Sequence, residues 1–177
     1  MIFRNPNQRI GVLVDVQNLY HSAHAIYKTK VNYKNLLKLC VQGRILVRAI
    51  AYTVRTDETK EQNFFEALNN AGFEVKEKDL QIFVNGAKKG DWDVGIAMDA
   101  VRLGEKVDSI VLLSGDGDFK PVVNYLQQSL GCLVEVMSFK QATNKELMEI
   151  ADDFIDLGEH PEVLFSNTKP NLPTQEN

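Results

Sequence analysis

The sequence predicts an α/β domain with a mainly parallel sheet of about five strands. Three observations carry this. Short β-branched runs alternate with segments of helical periodicity. The runs at 9–16 and 109–113 are apolar in their interiors, 10–14 and 110–113, which suits strands buried on both faces better than strands with one wet face. Acidic residues lie at or shortly after the ends of both runs, where parallel α/β sheets place their sites.

Residues 9–16 (RIGVLVDV) form the first strand, ending at Asp15. Residues 18–28 and 33–41 read as helices, with Leu36, Leu37 and Cys40 at helical spacing. A second strand spans 45–54, and a polar loop holding Arg55, Thr56 and Asp57 follows it. Phe64, Phe65 and Leu68 share one face of a helix over 60–70, with Gly72 as its C-terminal cap. The segment 73–78 is a polar strand suited to a sheet edge, and 91–104 is a helix. A strand at 109–113, a helix at 119–130 capped by Gly131, and a strand at 132–137 come next. The last helix is expected over 144–157, with Leu147, Ile150, Ala151 and Phe154 on its inner face. The domain is expected to cover residues 1–158, with 159–177 a frayed tail of three prolines and small polar residues.

Composition narrows the function. At 177 residues, 44% hydrophobic and 25% charged, the chain is long enough to bury a substantial core. A net charge of −4 argues against a generally phosphate-coating surface, though not against a nucleic-acid enzyme whose acids are gathered in one site. Cys40 and Cys132 stand alone in apolar contexts and read as buried thiols in a reducing compartment. The N-terminus resembles no signal peptide and no run reaches transmembrane length, so a cytoplasmic location without a membrane partner is expected.

The chemistry lies in the carboxylates. Asp15 ends the first strand, Asp116 and Asp118 follow the fourth, and Asp93 lies near the start of the helix that leads into it. In a right-handed crossover that helix starts at the same carboxyl edge, so four acids distant in sequence meet there. Such a cluster needs a counter-charge or raised pKa values. Mg²⁺ or Mn²⁺ is the counter-charge that suits all-oxygen ligands. One or two such ions activate a water and stabilise the oxyanions of an in-line phosphoryl displacement. Gly115 and Gly117 allow a tight turn and close approach there.

Val14-Asp15-Val16-Gln17-Asn18, then Lys89-Gly90-Asp91-Trp92-Asp93-Val94, then Ser114-Gly115-Asp116-Gly117-Asp118-Phe119 resemble NYN domains. They are most similar to the LabA-like (DUF88) branch of the PIN-like nuclease superfamily. The likeness runs over residues 10–157, with the motifs in the family's order. It implies a three-layer α/β/α Rossmann-like (PIN-like) fold and a metal-dependent ribonuclease site of Asp15, Asp93, Asp116 and Asp118. The choice of Asp93 over Asp91 rests on it. Asn18 matches a ligand- or water-orienting Asn, and Ser114 a Ser that bonds phosphate or carboxylate. Asp99 matches a recurrent acid but turns to a different side of the helix. The partner it implies is RNA, single-stranded or structured; a homodimer is also allowed for.

Simpler readings stand beside these. Asp116 and Asp118 can form a polar turn, Asp15 can cap the next helix, and Asp93 is favourable at any helix start. His21 and His24, at i and i+3, lack a third ligand and read as surface residues. Lys88, Lys89, Lys120 and Arg55 lie near the predicted edge, where Lys89 can orient a phosphate or be a solvated lysine. Trp92 and Tyr20 suit base stacking or rim packing. The alternative function is a non-catalytic or weakly active RNA-binding or regulatory protein that keeps the acidic pocket. An EF-hand, an aspartyl-phosphate phosphatase and a dinucleotide enzyme all lack their motifs.

Overall fold

A computed structural model describes residues 4–55, 58–82 and 88–165, with backbone alone at 58–61, 81–82 and 88–89. The first strand, β1 (Arg9–Asp15), leads directly into α1 (Val16–Tyr27), and α2 (Tyr33–Val41) precedes β2 (Ile45–Arg55). Next come α3 (Glu58–Ala71), β3 (Glu74–Asp79) and the short antiparallel pair β4 (Gln81–Ile82) and β5 (Lys88–Lys89). After α4 (Asp93–Gly104) the chain alternates β6 (Ser109–Leu113), α5 (Lys120–Leu130), β7 (Leu133–Ser138), α6 (Lys145–Ile150) and β8 (Asp153–Asp156). A six-stranded sheet in the order β3-β2-β1-β6-β7-β8 results, parallel at every pairing.

Alternation along the strands makes the three layers. Val12 and Val14 join α1 and α2 in one core, with Leu19, Leu36 and Cys40, while Leu13 faces Ile96, Val123 and Leu126 in the other. Ala49 and Ala51 take the first side, and Ile50 and Tyr52 the second. Both cysteines are free and buried, Cys40 in the first core and Cys132 in the second. No helix of the described residues is long and apolar enough to cross a membrane. Switching of sheet order between β1 and β6 puts the carboxyl ends of both central strands beside one crevice.

The sheet has one strand more than expected, because 144–157 is not one helix. α6 stops at Ile150, Ala151 is extended, and β8 pairs with β7. Asp152 causes the break: its N–H donates to the Val134 carbonyl at 2.9 Å, and its carboxylate accepts from Val134 N–H at 2.8 Å and Gln127 Nε2 at 3.0 Å. The segment beyond 158 also packs as far as it is described. Val163 is buried, its carbonyl accepts from Asn32 N–H at 2.7 Å, and Phe165 N–H donates to the Lys30 carbonyl at 2.9 Å. Residues 166–177, like Thr56 and Asp57, lie outside the described residues.

At the amino edge of the sheet, a buried ionic clamp closes the other end. Glu135 on β7 accepts from Arg44, from Ser109 Oγ at 2.9 Å and from Arg4 Nη2 at 3.0 Å. Arg4 also reaches Asp153 at 2.7 Å, tying the N-terminal segment to β8.

Candidate metal centre

Asp15 is the last residue of β1 and the N-cap of α1 at once. One oxygen, Oδ1, accepts the Asn18 N–H at 3.1 Å; the other, Oδ2, accepts the Ser114 hydroxyl at 3.5 Å. The helix-cap reading is therefore correct, and the second oxygen is held only by the long contact to Ser114. Asp116 behaves alike. Its Oδ1 accepts the Asp118 N–H at 2.9 Å, closing a polar turn over Gly117–Phe119, while its own N–H donates to Ser114 Oγ at 3.3 Å. Ser114, fully buried, thus couples the two strand ends through one hydroxyl.

Asn18 has a bond across the same gap: its Oδ1 accepts the Gly115 N–H at 3.0 Å. It fixes the loop after β6 to α1, and its amide nitrogen is the end left to face a ligand. Asp93 enters as the first residue of α4. Trp92 places it, donating Nε1–H to the Thr53 carbonyl at 2.7 Å and stacking obliquely on Tyr52 at 5.3 Å. The indole is a wedge between α4 and β2, which settles it as packing.

Carboxylate oxygens of Asp93, Asp116 and Asp118 all lie within 4.8 Å of one another. Asp15 stands outside that spacing but within its field. Burial, then the neighbouring Asp93 and Asp116 charges, raise its pKa to about 6 against the bond from Asn18. Asp93 is raised too, by burial and then by Asp116, Asp91 and Asp118, with Lys78 opposing. Among the described residues no Lys or Arg forms an ion pair with any of these four acids. Two half-exposed carboxylates and the exposed Asp118, held together with no ion-paired cation among the described residues, fit a hard divalent ion.

The remaining candidates part company with this group. Asp99 sits on a different face of α4, accepting from Tyr52 Oη at 2.8 Å and Lys76 Nζ at 2.6 Å. Burial works against its charge, but those bonds hold its carboxyl below the ordinary value, so its role is structural. Lys120 is engaged by Glu146 and Arg55 by Glu77. Lys89 falls in β5, with its side chain outside the described residues. His21 and His24 are exposed on α1 beside Tyr20 and belong to no ligand cluster among the described residues.

Two residues were invisible to the sequence reading. Asn144 donates its N–H to the Gly115 carbonyl at 2.9 Å and caps α6 by accepting from Leu147 N–H at 3.1 Å. A Cβ on Gly117 would stand 2.6 Å from its Nδ2, so the loop can pass only as glycine. Lys78, whose ammonium lies 4.8 Å from the Trp92 ring centroid, is the cation Asp93 feels. The Asn-x-x-Leu cap pattern was the available signal for Asn144; nothing marked Lys78.

The comparisons agree with this geometry. The NYN domain family matches residues 9–158. Low amplitude and bright protein LabA of Synechococcus elongatus is 30% identical over 131 residues, covering 71% of this chain and 70% of LabA. The crystal structure of a protein of unknown function from Vibrio parahaemolyticus superposes with a TM-score of 0.84 at 33% identity, covering 93% of this chain and 100% of that one. With the sheet order, the acid-bearing strand ends and the match running from β1 through β8, this chain belongs to the NYN domain family, within the PIN-like nuclease superfamily.

Proposed function

We propose that this protein is a metal-dependent ribonuclease that hydrolyses RNA phosphodiester bonds at the carboxyl edge of the sheet. The observation that carries the reading is the convergence of Asp93, Asp116 and Asp118 within 4.8 Å without a cationic partner among the described residues. Family membership supports the reaction class. In this reading Asp93, Asp116 and Asp118 would hold Mg²⁺ or Mn²⁺, with Asp15 contributing from its deeper position. When bound, the ion supplies an acidified water and positive charge for the phosphoryl oxygens.

The chain's own part is preorganisation. Ser114 holds Asp15 and the Asp116 backbone in one register, and Asn18 holds the Gly115 N–H, so the acids need little rearrangement to bind. No histidine or cysteine is required as a nucleophile, and the two buried free thiols suit the reducing cytoplasm proposed for it.

The test pairs cleavage with binding. Labelled single-stranded RNA, double-stranded RNA and DNA are incubated with Mn²⁺, Mg²⁺ or EDTA, beside Asp116→Asn. RNA cleavage is expected with metal and not with EDTA or the variant. Thermal unfolding is expected to shift upward with millimolar Mn²⁺ in the natural chain alone, because an ion that binds only the folded state stabilises it. Retained RNA binding without cleavage under any divalent ion would replace the ribonuclease with a binding or regulatory role.

A further inference from the structure

Next to the acids, a cleft of about 230 Å³ opens between α1, the end of β2 and α3. Val16 and Val54 contribute aliphatic surface, while Tyr20, His21, Phe64 and Phe65 contribute rings. Phe64 is anchored by an edge contact with Tyr33 at 5.7 Å, and Phe65 leans on Phe64 at 6.2 Å. Tyr20 is 43% exposed. Among the described lining residues there is no carboxylate, lysine or arginine.

Thr53 also lines this cleft, and it is the second, independent observation. Thr53 is 3% exposed, yet its Oγ1 has no hydrogen-bond partner among the described residues. A buried hydroxyl without a partner costs about 1–3 kcal/mol, so such groups ask for an explanation. The alternation that sends Ala49 and Ala51 to the α1 side sends Thr53 there too.

The cleft is joined to the acid cluster by covalent neighbours at two points. Val16 follows Asp15, and the Thr53 carbonyl takes the Trp92 indole N–H one residue before Asp93. A planar, apolar-faced ligand with hydrogen-bonding edges, attached to a phosphodiester, meets all these conditions.

We propose that this cleft receives one unpaired nucleobase of the RNA strand, stacked on Phe65 and Tyr20 with an edge atom bonded to Thr53 Oγ1. The inference rests on the ribonuclease reading for its substrate class and adds a subsite that selects single-stranded RNA. A paired base cannot enter, because its edge is occupied and its faces are stacked within the duplex.

Binding rather than cleavage tests it, using the full chain with Asp116→Asn to keep the RNA intact. Fluorescence anisotropy is measured on labelled single-stranded decamers, each with one abasic position. Affinity is expected to fall about tenfold at one position near the cluster and little elsewhere, the loss of one base–aromatic stack. With Phe65→Ala added, that penalty is expected to vanish. With Thr53→Val added, which keeps shape and fold, preference among the four bases at that position is expected to flatten several-fold. A flat abasic profile, an abasic penalty that survives Phe65→Ala, or no detectable RNA binding overturns the proposal. Cleavage by the natural chain together with a flat profile removes the cleft alone, whereas a position-specific profile without cleavage removes the ribonuclease alone.

Discussion

Asp15 illustrates how one side chain can cap a helix and still carry a strongly perturbed charge. It caps α1, yet burial and like charges raise its pKa from 3.8 to about 6. The folded protein therefore holds this proton more tightly than the unfolded chain. Its contribution to stability is full below pH 4, declines as pH rises, and is gone above about 6. In metal-free protein at pH 7, Asp15→Asn is expected to raise unfolding free energy by about 1–3 kcal/mol, with no gain at pH 4. Urea titrations at both pH values check this. A gain that is the same at both would show that ionisation is not its cause. The same logic makes divalent-ion affinity rise through pH 6, since proton and ion compete for the acids. Asp116 and Asp118 were legible because the fold brings them to the same sheet edge as Asp15 and Asp93; alone, an Asp-Gly-Asp reads equally as the polar turn it also forms. Asp99 was expected on a different side of α4 from its six-residue offset, and it lies there, but its Tyr52 and Lys76 partners sit on β2 and β3 and left no trace in its own segment.

Among the elements, the loop between β6 and α5 is built to a tolerance that its sequence only hints at. Gly115 and Gly117 were read as freedom to turn, but neither has a positive φ. Their reason is contact: a Cβ at Gly115 would lie 2.8 Å from the Ala142 carbonyl oxygen, and one at Gly117 would lie 2.6 Å from Asn144. Gly117→Ala is expected to displace Asn144, weaken the cap of α6 at a cost of about 1–2 kcal/mol, and reduce the Mn²⁺-induced thermal shift. Gly131→Ala is the control, since Gly131 has φ +63° and open space around it. It is expected to cost about 1 kcal/mol while leaving the Mn²⁺ shift alone. The strand missed at 153–156 shows the opposite problem. Leu147, Ile150 and Phe154 fit a helical stripe, and so short an apolar pattern does not discriminate. Asp152 decided it by bonding to β7, an interaction with no local signature.

At the scale of the whole molecule, the two edges of the sheet divide the work. The carboxyl edge gathers acids that have no ion pair among the described residues, and the amino edge buries Glu135 among Arg44, Arg4 and Ser109. Removing one partner of a buried ion pair leaves the other uncompensated. Glu135→Ala is expected to lower stability by about 3–5 kcal/mol in urea unfolding. Asp116→Asn, which removes one of several repelling charges, is expected to leave stability unchanged or higher while abolishing the Mn²⁺ shift. An Asp116→Asn protein as unstable as Glu135→Ala would make the acid cluster a structural feature. The sequence by itself determined the alternation of strands and helices, the parallel sheet and the edge to which Asp15, Asp93, Asp116 and Asp118 belong. Those follow from periodicity and from the fixed hand of the crossovers, except that the choice of Asp93 over Asp91 came from the family resemblance. Only the tertiary structure decided that three of the acids converge while Asp15 stands deeper, that β8 completes the sheet, and that Thr53 faces an aromatic cleft. Each of these depends on distances between segments far apart in the chain, set by how helices pack on the sheet and invisible to the spacing within any one segment.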